Sequence, residues 1–153
     1  MKDIEAKQYR DHQEDPLVMY LIVRETVTMG VGKTAAQCAH ASQMLQLKYS
    51  NLIAEAESYM DIIYKTSFED IPQEIIDKLN VFDKWMNTSF RKVVLKADDK
   101  EWAKLKDEFK DSMVLVVDSG LTEVAPNTET VIGLWPMHKS QVPKLVKKLQ
   151  VLK

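Results

Sequence analysis

Apolar residues along this chain follow two rhythms: short unbroken runs, and stretches that recur every three or four positions. Leu17-Val-Met-Tyr-Leu-Ile-Val23 is an unbroken run, too short for a helix and rich in strand formers, so it predicts a buried strand. Residues 91–96 predict a second strand, 113–118 a third and 130–134 a fourth. The intervening stretches carry the helical rhythm. A helix is expected from near Lys33 to about Tyr49, after a loop over 24–32. Residues 51–87 predict an insertion of two more helices. Leu52, Ile53, Ala56, Tyr59, Met60 and Ile63 mark the apolar face of one, and Ile75, Ile76, Leu79, Phe82 and Met86 that of the other. Both faces need a cover, either the domain itself or a protein partner. Asp98 followed by Glu101 signals a capped helix whose Trp102, Leu105 and Phe109 face inward. Ser140 is expected to cap a last helix with Val142, Leu145, Val146 and Leu149 on one side.

Strands separated by helices predict an α/β protein, a three-layer α/β/α sandwich on a mixed four-stranded sheet. The first three strands can run in one direction through right-handed crossovers. The loop over 121–129 is too short for a helical crossover, so the fourth strand is expected to run antiparallel to a neighbour.

One junction in this pattern carries chemistry. Met29-Gly-Val-Gly-Lys33 lies between a strand and a helix, where unpaired backbone N–H groups and the helix dipole favour an anion. Lys33 adds a full positive charge. On a helical wheel Lys33, Gln37, His40 and Met44 share a stripe, while Ala35, Cys38, Ala39 and Ser42 lie opposite. The small residues are expected to dock on the sheet and the polar stripe to face outward. Asp118-Ser-Gly-Leu-Thr122 ends the third strand. In α/β proteins ligands gather at the carboxyl ends of strands, which would bring Asp118 to the same rim as Lys33.

Composition narrows the classes without choosing among them. The 153 residues suit one domain from 17 to 153, preceded by a polar arm over 1–16 that reads as neither signal peptide nor anchor. No apolar run reaches membrane-spanning length. The lone cysteine, Cys38, excludes an internal disulfide and fits a reducing cytoplasm. The net charge of −2 is uneven: residues 51–87 carry three basic and eight acidic side chains, and residues 88–153 twelve and nine. The acidity belongs to one segment, so an RNA substrate is neither required nor excluded.

Three chemistries compete for the site. Gly32-Lys33-Thr34 after a strand suggests a phosphate-binding loop, but such a loop needs a glycine where Val27 stands. A nucleotide-binding reading therefore stays only as an alternative. Cys38 and His40, two apart on a helix, diverge by about 200° and cannot form a catalytic pair. The three histidines show no metal-ligand spacing.

The convergence of the two rims matches a known pattern. The chain resembles the type 2 peptidyl-tRNA hydrolases, the archaeal and eukaryotic class. The likeness lies in Met29-Gly-Val-Gly-Lys33, Ala35-Ala-Gln-Cys-Ala-His40, Lys92-Val-Val-Leu-Lys-Ala97, Asp118-Ser-Gly-Leu-Thr-Glu-Val-Ala-Pro126 and Thr130-Val-Ile-Gly133. The resemblance implies a domain that is often dimeric. It also implies hydrolysis of the ester between a peptide and the 3′ end of tRNA, with no metal or organic cofactor. It places Lys33, Asp118, Thr122 and Thr130 at the active site, with Gln37 and His40 along the neighbouring helix. Gly30, Gly32, Arg24 and Lys92 complete the expected contacts to the 3′ end and acceptor stem of peptidyl-tRNA. The family carries a second basic residue where this chain has Val31, and Arg where it has Leu121. Its Gly-x-Gly-Pro ending is altered to Gly133-Leu-Trp-Pro136, which leaves Trp135 either to stack on a base or to lodge at the surface or in the core. These departures keep a second reading open, a member of the fold that binds or regulates without turnover.

Overall fold

The computed structural model describes residues 14–61 and 71–153. The central sheet contains β1 (Leu17–Arg24), β2 (Arg91–Ala97), β3 (Met113–Asp118) and β4 (Thr128–Leu134). Two two-residue strands, β5 (Met137–His138) and β6 (Gln150–Val151), join these four. The order is β3-β4-β1-β2-β6, with β5 pairing the start of β1. β1 and β2 are parallel, and β4 is antiparallel to both β1 and β3. The first three strands therefore share a direction, with β4 inserted between β1 and β3. The carboxyl ends of β1 and β3 meet at one rim, separated by a single strand.

Every residue of 17–23 is buried because helices cover both faces of β1. Val18, Tyr20 and Ile22 pack with Trp102 and Leu105 of α3 (Asp99–Glu108), with Phe109 just after it and with Val146 of α4 (Lys144–Lys147). Leu17, Met19, Leu21 and Val23 pack on the opposite side with Ala41 and Leu45 of α1 (Val31–Asp61) and with Phe82 and Trp85 of α2 (Gln73–Asn87). The expected capping box opens α3: Asp98 accepts from the Glu101 N–H, and the Glu101 side chain accepts from the Asp98 N–H. Such a cap contributes about 1 kcal/mol.

α1 departs from the expected helix in length and in facing. It continues without a break past Tyr49 to Asp61, since Ser50-Asn51 contains no residue that stops a helix. Leu52, Ala56 and Tyr59 of its second half pack with Ile71, Ile75, Ile76 and Leu79. The two helical faces of 51–87 thus cover each other in part, with Phe82 and Trp85 in the main core, while Met60, expected on the covered face, is 45% exposed. Ile63, expected on the same face, and the arm over 1–13 lie outside the described residues.

The buried stripe of α1 is Gln37, Ala41 and Leu45, whereas Ala35 and Ala39 are exposed. The polar stripe from Lys33 to Gln37 turns toward the sheet rather than away from it. Gly133 makes this close seat possible: a Cβ there would lie 2.9 Å from Val114 Cγ2 and 3.0 Å from Leu45 Cδ1. The last helix also differs from expectation. Pro143 stands at its N-terminus, and Ser140 lies in a preceding 3₁₀ turn, where it binds the Asp15 carboxylate through both N–H and hydroxyl.

Candidate active site

Turning the polar stripe of α1 inward requires buried partners, and β3 and β4 supply them. Lys33 Nζ lies 2.5 Å from Asp118 Oδ1, with both side chains largely buried. Gln37, one turn along α1, donates from Nε2 to the same oxygen at 3.3 Å. Thr130 Oγ1 donates to Gln37 Oε1 at 2.5 Å and also lies 3.4 Å from the Val116 carbonyl. Asp118 Oδ2 accepts from the Gly120 N–H at 2.8 Å.

Gly120 adopts φ +79°, and a Cβ there would sit 2.5 Å from Pro126 N. The loop therefore needs glycine at this point to fold back on Asp118. Asp118 O accepts from Asn127 N at 2.8 Å, closing the loop over 119–127 onto the strand end.

These contacts decide the state of Asp118. The hydrogen bond from Lys33 holds its carboxyl below the usual carboxylate range, and the Gly120 N–H reinforces it. Burial works in the opposite direction, while the Lys33 charge and, more weakly, His40 favour the ionised form. A carboxylate holding three donors at a depressed pKa is a poor general base. It is well suited to fixing an ammonium group in place. Lys33 keeps two further N–H bonds for an incoming oxygen.

The comparisons with known proteins give the family. A family model described as peptidyl-tRNA hydrolase PTH2 matches residues 17–152. The chain belongs to that family. It is 27% identical over 138 residues to a peptidyl-tRNA hydrolase of Methanococcus vannielii, covering 86% of this chain and 96% of that protein. It is 28% identical to one of Thermoplasma acidophilum, covering 88% and 97% respectively. A mitochondrial peptidyl-tRNA hydrolase 2 of Bos taurus is 28% identical over 87% of this chain and 63% of its own length.

Within this PTH2 domain the other expected site residues are scattered. Gly30 and Gly32 stand at the entrance of α1, Gly32 with open space around it. The Gly30 N–H donates to Glu123 Oε2 at 2.6 Å. Thr34 closes the first turn onto the Gly30 carbonyl. His40 is exposed one turn beyond Gln37, and Thr122 is exposed in the loop over 119–127; neither joins the hydrogen bonds around Asp118. Arg24 points to the other face of the sheet, where its Nε lies 2.9 Å from Asp99 Oδ1 and its guanidinium lies over Trp102. Lys92 lies at the opposite rim, paired with Met19 near the start of β1, its ammonium 3.6 Å from the Phe90 ring centre. Burial lowers the Lys92 pKa. Trp135 packs against Phe82 at the margin of the core, half-buried, with Nε1 donating to the Lys78 carbonyl at 3.1 Å.

Sequence reasoning missed Glu123, which occupies the Gly30 N–H at the anion-favouring helix entrance. The signal available was its place in the Asp118-to-Pro126 motif. The role of Thr130 was also hidden. It is 0% exposed, and its hydroxyl donates to Gln37.

Proposed function

We propose that this chain hydrolyses the ester joining a peptide, or an N-blocked amino acid, to the 3′ end of tRNA. The observation that carries this reading is the Lys33–Asp118 pair at the shared rim of β1 and β3, within a PTH2-family domain. Water adds to the ester carbonyl carbon, and negative charge develops on the carbonyl oxygen. Lys33 donates its remaining N–H bonds to that oxyanion. Collapse of the tetrahedral intermediate breaks the bond to the ribose oxygen, which takes the proton given up by the attacking water and leaves as the free 3′ end. Asp118 and Gln37 hold the ammonium in position, and Thr130 holds Gln37. Burial pushes up the pKa of the Cys38 thiol, which joins none of the hydrogen bonds around Asp118 and takes no part. No helix among the described residues is long and apolar enough to cross a membrane.

The phosphate-loop alternative loses support, because Val27 stands where such a loop needs glycine and Lys33 is paired with Asp118. A binding or regulatory role is favoured by one observation. Val31 and Leu121 are 90% and 86% exposed at the mouth, apolar where phosphate contacts would call for cations. Incubation of the protein with N-acetyl-aminoacyl-tRNA separates the two. Ester hydrolysis releases N-acetyl amino acid and full-length tRNA; a binding module retains the tRNA and releases nothing.

A further inference from the structure

Of the exposed large apolar side chains among the described residues, Met60 and Val151 lie elsewhere, and two share a groove. Beyond the mouth, Leu47 is 58% exposed on α1 and Val117 is 50% exposed on β3, and both line one open groove of about 460 Å³. Its walls are His40, Gln43, Met44 and Leu47 from the helix, with Leu115 and Val117 from the strand. One end lies near the ion pair, since His40, one of its walls, is close enough to Asp118 to favour its ionised form, and Val117 adjoins Asp118 along β3. β3 is the terminal strand of the sheet, paired on one side only, so the backbone along its outer edge faces no other strand among the described residues. No lysine, arginine or carboxylate lines the groove. A polyphosphate backbone would find no cation there, whereas an uncharged extended peptide would find apolar walls and an open strand edge.

We infer that this groove receives the peptide portion of the substrate, which adds as a short strand along the free edge of β3. This rests on the proposed reaction, because the ester at Lys33 fixes where the peptide ends. The esterified carboxyl end then lies beside Asp118 and the amino end runs back toward Met113, parallel to β3. At about 3.3 Å per residue the strand offers length for roughly four peptide residues. Recognition is by backbone and apolar contact, so it is tolerant of sequence and sensitive to peptide length.

Two measurements test this. In the first, kcat/KM is compared for N-acetyl-aminoacyl-tRNA and for an apolar tetrapeptidyl-tRNA. Wild type prefers the longer acyl chain, and Leu47→Glu or Val117→Glu lowers that preference, read as the ratio of the two constants, by about tenfold. Both positions are at the surface, so the substitutions do not disturb the core. In the second, fluorescence anisotropy follows a fluorescein-labelled Gly-Val-Leu-Val amide with no RNA attached. Wild type binds it, and Leu47→Glu weakens binding by a similar factor. A preference independent of acyl length, or peptide binding unaffected by both substitutions, overturns the groove assignment while leaving the hydrolase reading in place. Peptide binding that depends on Leu47 and Val117, in a protein that cleaves neither tRNA ester, upholds the groove and overturns the reaction.

Discussion

Thr130 Oγ1 donates to Gln37 Oε1, and that bond decides which end of the Gln37 amide faces Asp118. With its oxygen engaged, Gln37 can present only Nε2 to the carboxylate. A fully buried hydroxyl on β4 thereby orders the donors around the ion pair. Thr130→Val keeps the shape and removes the donor, leaving Gln37 Oε1 unsatisfied. Denaturant unfolding should show a loss of about 1–3 kcal/mol. In steady-state assays kcat should fall about tenfold with little change in KM, and Thr130→Ser should restore both. Full activity in the valine variant would show that the Gln37 amide needs no such guide.

The strands and the capped helix after Asp98 were legible because their signals are local: apolar runs of fixed length, and a carboxylate three residues before its partner. Even the shared rim followed from strand direction. The facing of α1 was not legible. A helical wheel shows which residues share a side but not which side is buried, and small residues were expected to dock. Lys33 and Gln37 take the buried side because their partners, Asp118 and Thr130, arrive from strands far along the chain. Similarly, β5 and β6 are two residues long and leave no periodicity to read.

The depressed pKa of Asp118 sets a pH dependence with a definite sign. Its ionised form is favoured by folding, so its contribution to stability is complete above the unfolded value of about 3.9. That contribution is lost as pH falls through the lower folded value. The stability gap between wild type and Asp118→Asn should therefore narrow on acidification below about pH 4. Between about pH 5 and 8 the rate profile should carry no limb belonging to Asp118. An acid limb near neutrality that disappears in Asp118→Asn would make it a titrating base and contradict its role as an anchor for Lys33.

Gly120 tests the loop that closes on the carboxylate. Alanine there combines a positive φ with a Cβ 2.5 Å from Pro126 N. Gly120→Ala should cost more than about 2 kcal/mol in thermal or denaturant unfolding. It should also reduce turnover, because the N–H held against Asp118 Oδ2 shifts. A variant of wild-type stability would show that the loop relaxes freely.

Glu123 holds the Gly30 N–H that an incoming anion would otherwise use. Glu123→Gln weakens that internal contact and removes a negative charge at the mouth. KM for an acylated tRNA should fall about two- to fivefold at low salt, with the effect shrinking as salt is added. A rise in KM would show that Glu123 serves the substrate directly.

The central claim is that Lys33, held by Asp118, stabilises the oxyanion of an ester at the end of tRNA. Its most direct test is single-turnover cleavage of N-acetyl-aminoacyl-tRNA at saturating protein by wild type, Lys33→Ala and Asp118→Asn. Wild type should release N-acetyl amino acid, Lys33→Ala should slow that step by at least about 100-fold, and Asp118→Asn should also slow it. Cleavage at the wild-type rate by both variants would contradict the assignment of this pair.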